Sequence, residues 1–114
     1  MAINSVVLVG RLGADPEVKY LSSGVTVANF NIAVDRGGKG PNGERMTDWF
    51  RIETYDKLAE ICANYLTKGK LVGIEGRLDI RSYTDKAGNK QEIVAIRASN
   101  MQMLSSKSED SQNG

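Results

Sequence analysis

Trp49, Arg51 and Tyr55 fall at alternate positions in the stretch Thr47-Asp48-Trp49-Phe50-Arg51-Ile52-Glu53-Thr54-Tyr55. On a β-strand, alternate side chains share a face, so these three stand together with Glu53, while Phe50, Ile52 and Thr54 face the other way. The second set is core material. An indole, a guanidinium and a carboxylate would each need a buried partner, so the first set belongs at a surface. The chemistry it offers is non-covalent: flat rings stack on bases and cations hold phosphates, which suits unpaired nucleic acid. A half-buried strand whose Trp covers a loop would show the same pattern once. It recurs, however, between Leu71 and Tyr83, where Val72, Ile74, Leu78 and Ile80 are expected inward and Glu75, Arg77, Asp79, Arg81 and Tyr83 outward. Both strands end in a tyrosine, and the repetition favours the nucleic-acid grip. Glu53, Glu75 and Asp79 oppose it, because they repel phosphate unless neighbouring cations pair with them.

The totals exclude several other chemistries. A chain of 114 residues fits one domain, and 12 glycines against 2 prolines, set at the ends of apolar runs, indicate many turns between strands. Fifteen basic and 14 acidic residues leave a net charge of +1, too little for a duplex-binding footprint but compatible with a local basic groove. Without histidine, and with Cys62 as the lone cysteine, the chain lacks the usual nucleophile-base pair and the ligands of a zinc site. Gly69-Lys70-Leu71 and the Gly-Lys run near Gly40 lack the Ser or Thr that completes a P-loop. No catalytic residues, metal or cofactor are therefore expected. Nor is there an apolar run of bilayer length or a basic leader, so a soluble protein of the reducing cytoplasm is expected.

The elements that must carry the two aromatic-basic faces follow from periodicity. Val6-Val7-Leu8-Val9 reads as a strand buried on both sides, one side in the core and the other open to a subunit interface. A short segment Glu17–Leu21 follows, then a strand Val25–Val34 with Ala28, Phe30, Ile32 and Val34 inward and Asn29 and Asn31 outward. Asp35 to Met46 reads as a flexible hairpin loop, a basic finger carrying Arg36, Lys39 and Arg45 beside Trp49. After Tyr55 the period changes. Leu58, Ile61, Cys62, Tyr65 and Leu66 form a helical stripe, with Asp56 as N-cap and Gly69 as stop. Leu71–Tyr83 and Gln91–Met103 make a second hairpin, and Ser105–Gly114 reads as a disordered polar tail after a domain ending near Leu104.

Three strands, one helix and two further strands is the order of the OB-fold, a five-stranded Greek-key β-barrel, here an all-β domain with one short helix. The matching stretches identify the family. They include Asn4-Ser5-Val6-Val7-Leu8-Val9-Gly10-Arg11-Leu12-Gly13, Asp15-Pro16-Glu17-Val18-Lys19-Tyr20, Thr47-Asp48-Trp49-Phe50-Arg51, Tyr65-Leu66-Thr67-Lys68-Gly69, Ile74-Glu75-Gly76-Arg77-Leu78 and Met101-Gln102-Met103-Leu104. In this order they resemble the bacterial single-stranded DNA-binding protein family from Ile3 to about Leu104. The resemblance implies a homotetramer that binds single-stranded DNA without sequence preference in replication, recombination and repair. It also implies a cytoplasmic, nucleoid-associated location. Stacking would fall to Trp49, Tyr55 and Tyr83, and backbone contacts to Arg51, Lys57, Lys68 and Arg81, with Arg77 added from the face pattern. Two departures stand out. Gly37-Gly38 occupies the place where many family members carry a further Trp, and Ser105–Gly114 lacks the acidic tip ending in Pro-Phe that recruits replication and repair enzymes. Partners that need the tip are not expected to bind. Rival readings are a component like primosomal replication protein N and a protein-binding adaptor barrel.

Overall fold

The computed structural model describes residues 2–105. Six strands and one helix follow in the order β1 (Val6–Leu12), β2 (Glu17–Tyr20), β3 (Thr26–Lys39), β4 (Arg45–Tyr55), α1 (Asp56–Tyr65), β5 (Leu71–Thr84) and β6 (Lys90–Met103). The sheet runs β1-β5-β6-β4-β3-β2, and β1 pairs a second time with β3, closing five strands into the expected OB barrel. Strand β2, expected only as a short segment, joins the outside of β3 through Glu17↔Asn29 to Tyr20↔Thr26.

Closure rests on two short seams. Arg11↔Ala33 and Leu12↔Ile32 join β1 to β3, while Ile52↔Ile96 and Glu53↔Arg97 join β4 to β6 in parallel. At the first seam a side chain at Gly10 would put its Cβ 2.5 Å from the Ala33 carbonyl oxygen, so only glycine lets β1 serve two neighbours there. Inside, Ile32, Ile52, Val72, Ile74 and Ile96 come from alternate positions of β3, β4, β5 and β6 and are essentially inaccessible to solvent. Helix α1 covers one end of this core, packing on β3 and β4.

Several expectations require correction. The helical stripe is rotated: Ala59, Cys62 and Leu66 are buried and Leu58 partly so, while Ile61 and Tyr65 face solvent. Ala59 is fully buried against the barrel, and the bulkier Tyr65 falls on the outer side. Tyr55 occupies the N-cap position and no side chain caps the helix; Asp56 is its first residue, with φ +57°, as the chain turns sharply out of β4. Burial pushes the Cys62 thiol up to about 11, in keeping with a packing role. Strands β3 and β4 extend through most of the expected finger loop, leaving a turn around Gly40–Glu44. The finger's charges are largely paired: Arg36 grips both oxygens of Asp48, and Arg45 lies 3.4 Å from Asp35. Ser105, assigned to the tail, is buried and exchanges hydrogen bonds with the Leu71 backbone; residues 106–114 of that expected tail lie outside the described residues.

Leu78 and Ile80 were expected in the core but are 38% and 54% exposed. The cause is topological. Strand β1 pairs with β5 only as far as Gly76, and β4 meets β6 only near Glu53, whereas β5 and β6 stay paired out to Thr84↔Lys90. Their outer halves form a two-stranded arm with no sheet behind it, so alternation there no longer separates core from solvent. Asn4 braces the base of the arm, accepting from the Leu78 N–H at 2.8 Å and donating to its carbonyl at 2.9 Å. Val7 and Val9 are likewise exposed in the single chain, on the side of β1 away from its core.

A bulge lies at the root of the arm. Glu75 pairs with Asn100 and Gly76 with Ala98, which leaves Ser99 as the extra residue, its hydroxyl donating to the Glu75 carbonyl at 3.2 Å. A Cβ on Gly76 would collide with the Arg97 carbonyl. Gly76→Ala is therefore expected to cost about 1–3 kcal/mol. Gly38→Ala, at a position with open space around it, should change stability by less than about 0.5 kcal/mol. Urea midpoints of the two variants check this.

Candidate nucleic-acid interface

The outer face of the barrel is built row by row from strand register. One row crosses five strands, with Glu17, Asn29, Glu53, Arg97 and Arg77 successive partners from β2 through β3, β4 and β6 to β5. Next to it, Arg51 stands opposite Asn31 and Trp49 opposite Ala33, while Tyr55 lies opposite Val27 on the other side. The two sequence patterns therefore meet on one surface. The sheet order also inserts β6 between them, and β6 contributes Arg97, which the sequence reading left out although its parity next to the buried Ile96 places it outward.

Trp49 is 61% exposed, yet it is firmly seated. Its six-membered ring lies against Gly13, where a Cβ would come within 2.6 Å of Cζ3 and 2.9 Å of Cη2. The glycine after β1 thus supplies a flat rest for the indole. Beside it opens a cleft of about 310 Å³ whose walls include Gly13, Asp15, Asn29, Asn31, Trp49 and Arg51. The Oδ1 of Asn29 is buried without a hydrogen-bond partner among the described residues. Such a cleft offers an aromatic wall, a cation and amide groups to a flat polar ligand.

The acidic residues resolve differently from their reading in sequence. Glu53 keeps its expected place on the outer face but is covered there rather than free: its Oε2 accepts from Arg51 Nε at 3.1 Å, and both oxygens accept from Arg81 Nη2 at 2.6 Å. Burial alone would push this carboxyl's pKa up. The hydrogen bonds from Arg81 and Arg51 outweigh that and hold it below the ordinary glutamate value. Asp79 adds a contact to Arg81 at 3.6 Å. Of the three carboxylates expected to oppose phosphate, Glu53 and Asp79 thus serve as anchors while Glu75 is exposed opposite Val7, and Glu53 ties arginines of β4 and β5 together across the intervening β6.

The remaining expected residues are dispersed. Tyr55 is half-buried, and the Arg97 guanidinium lies 4.4 Å from its ring centroid, so one face of that ring is already occupied by a cation. Arg77 faces Arg97 directly. Tyr83, 49% exposed, rides on the arm opposite Gln91. Lys57 is exposed in the first turn of α1, and Lys68 lies in the turn after the helix, its backbone N–H donating at 2.8 Å to Asp15 of the Trp49 cleft. No grouping of three or more side chains suited to holding a metal occurs among the described residues, and none of their helices is long and apolar enough to cross a membrane.

A barrel with this strand order and a ring-and-guanidinium outer face has a family counterpart. The model of the single-strand binding protein family matches residues 3–104. The chain belongs to that family. A single-stranded DNA-binding protein of Neisseria meningitidis serogroup A is 44% identical over 113 residues, covering 97% of this chain and 65% of that protein. One from Halalkalibacterium halodurans is 43% identical, covering 98% of this chain and 67% of the relative. Single-stranded DNA-binding protein 1 of Chlorobaculum tepidum is 45% identical, covering 92% and 67%. The chain thus spans about two thirds of the length of these relatives.

The Glu53 anchor yields a stability prediction with a definite sign in pH. With its pKa lowered by folding, Glu53 contributes stability above the ordinary glutamate range, and that contribution is lost as pH falls through the folded value. Arg81→Met removes the stronger partner and leaves a buried carboxylate held by Arg51 alone. A loss of about 2 kcal/mol is expected at pH 7. It should shrink as acid protonates Glu53, and Glu53→Gln in the same background should recover part of it. Urea unfolding at pH 7 and pH 4 checks both signs.

Proposed function

We propose that this chain binds single-stranded DNA without sequence preference and protects it during replication, recombination and repair, acting in the cytoplasm with the DNA and performing no covalent step. The observation that carries the reading is the Trp49 platform: an indole seated on Gly13, largely open to solvent, with Arg51 beside it in the same cleft. Membership of the family and the single-stranded DNA-binding proteins among its relatives support it. Bases stack on Trp49, Tyr55 and Tyr83, and Arg51, Lys57, Lys68, Arg77 and Arg81 hold the backbone. Any base presents a π-face, so this grip needs no edge-specific hydrogen bonds.

Trp49 is the chain's sole tryptophan, so its fluorescence reports the platform directly. Oligo(dT) is expected to quench it, less so at high salt, and duplex DNA is expected not to. Trp49→Ala should weaken binding by about 1–3 kcal/mol, roughly 5- to 150-fold. An independent assay showing no binding of any single strand would overturn the reading in favour of a protein-binding barrel.

The functional unit in this proposal is a homotetramer. Support comes from the apolar side of β1, where Val7 at 69% and Val9 at 50% exposure flank a groove shared with Gly73 and Leu104. A strand that is apolar on both faces has only one barrel interior to fill, and a second copy can cover the rest. Light scattering should give four times the chain mass. Val9→Glu, which places a charge on that strip without touching the core face, should lower the mass.

A further inference from the structure

The charge on the outer face is not distributed as the spacing of its arginines suggests. Arg51 and Arg81 are the two guanidiniums placed by the sequence pattern beside the aromatic platforms, yet both are held by Glu53, and Arg81 also meets Asp79. Arg77 and Arg97 are in the opposite situation. They are direct cross-strand partners on β5 and β6, and neither lies within ion-pair distance of a carboxylate among the described residues. Like charges facing each other across a strand pair are destabilising. Here the cross-strand neighbour that would offset them, Glu53, has both oxygens engaged elsewhere. The Gly76–Ser99 bulge lies immediately beside this pair, and bulges re-aim the side chains that follow them. The two arginines line one shallow depression with Asn4, Ser5 and Ser99, while Arg97 reaches over the Tyr55 ring.

We propose that Arg77 and Arg97 form the principal phosphate-binding centre of this surface, taking a backbone phosphodiester of the single strand next to a base at Tyr55. Of the arginines that hold the backbone, Arg51 and Arg81 contribute the smaller share, because Glu53 already engages their guanidiniums. This rests on the reading of the chain as a single-strand binder. Two adjacent forks of N–H donors match the oxygens of a phosphodiester, and the bound anion relieves the repulsion between them. The strand's path therefore extends from the Trp49 cleft past Tyr55 to the base of the arm near Asn4. Tyr55 is approached with Arg97 already on its ring, so a base there meets a guanidinium plane as well as a phenol.

Counterion release makes the assignment measurable, because each phosphate neutralised on a single strand contributes about 0.7 to the slope of log K against log salt. Oligo(dT) binding is titrated by Trp49 fluorescence from low to high salt for the wild-type chain, Arg77→Gln, Arg97→Gln and the double variant. The double variant is expected to lower the slope by about 0.7, the share of one phosphate, and each single variant by part of that, with full quenching at saturation because the Trp49 end still engages. Slopes equal to wild type in the single variants overturn the assignment while leaving single-strand binding intact. A wild-type chain that binds no oligo(dT) overturns the underlying reading and this centre with it. Each single variant is read on its own, so the test stands even if the double variant fails to fold.

Discussion

Strand β1 hydrogen-bonds to two neighbours, and that double pairing is the constraint on which the molecule rests. Its first part lies along β5 and its last residues along β3, with Gly10 at the crossover where a Cβ would meet the Ala33 carbonyl. Without it the strands would form an open sheet with a bare edge at β1. With it, five strands surround one column of isoleucines and valines, and every inward residue commits its neighbours to the outside. The outer face is the geometric complement of a small closed core, and its polarity follows from that closure.

Closure also explains why a carboxylate can lie in the middle of an arginine-rich surface. The parallel seam between β4 and β6 is only two residue pairs long, and Glu53 belongs to one of them. Arg51 reaches it from its own strand and Arg81 from β5, beyond β6. The resulting ion pairs bridge the place where backbone pairing is sparsest. Their net worth is moderated by desolvation of the acid, so their main effect is to fix where two guanidiniums stand. An acid that looks misplaced for nucleic-acid binding is well placed for the barrel.

The sequence made the barrel legible because alternation is reliable wherever a strand has a core behind it. Ala28, Phe30 and Ile32 on β3, Ile52 on β4 and Val72 and Ile74 on β5 all fall inward as their parity requires. Parity failed at Leu78 and Ile80 because a strand carries no mark of where its neighbours end. It put Glu53 on the correct outer face but could not show it covered, because burial there depends on two arginines, one of them 28 positions away. The helix was legible as a period of three to four, but its rotation was not, since Ile61 and Tyr65 are as apolar as the residues that replaced them inside. The finger at Asp35–Met46 read as a loop because its glycines mask a ladder that continues to Lys39↔Arg45.

The contrast between rings and charges follows from the same source. Rings can be found by local spacing, since Trp49 needs only its own strand and a glycine to rest on. Charge cannot, because what a cation offers a ligand depends on which acids lie within reach after folding. On this face the two arginines most conspicuous in the sequence are those that the fold pairs with Glu53, while Arg77 and the overlooked Arg97 are left beside each other. Exposed rings on a small barrel can thus be located from alternation, but the cations left open to a ligand only after the cross-strand pairs have been worked out.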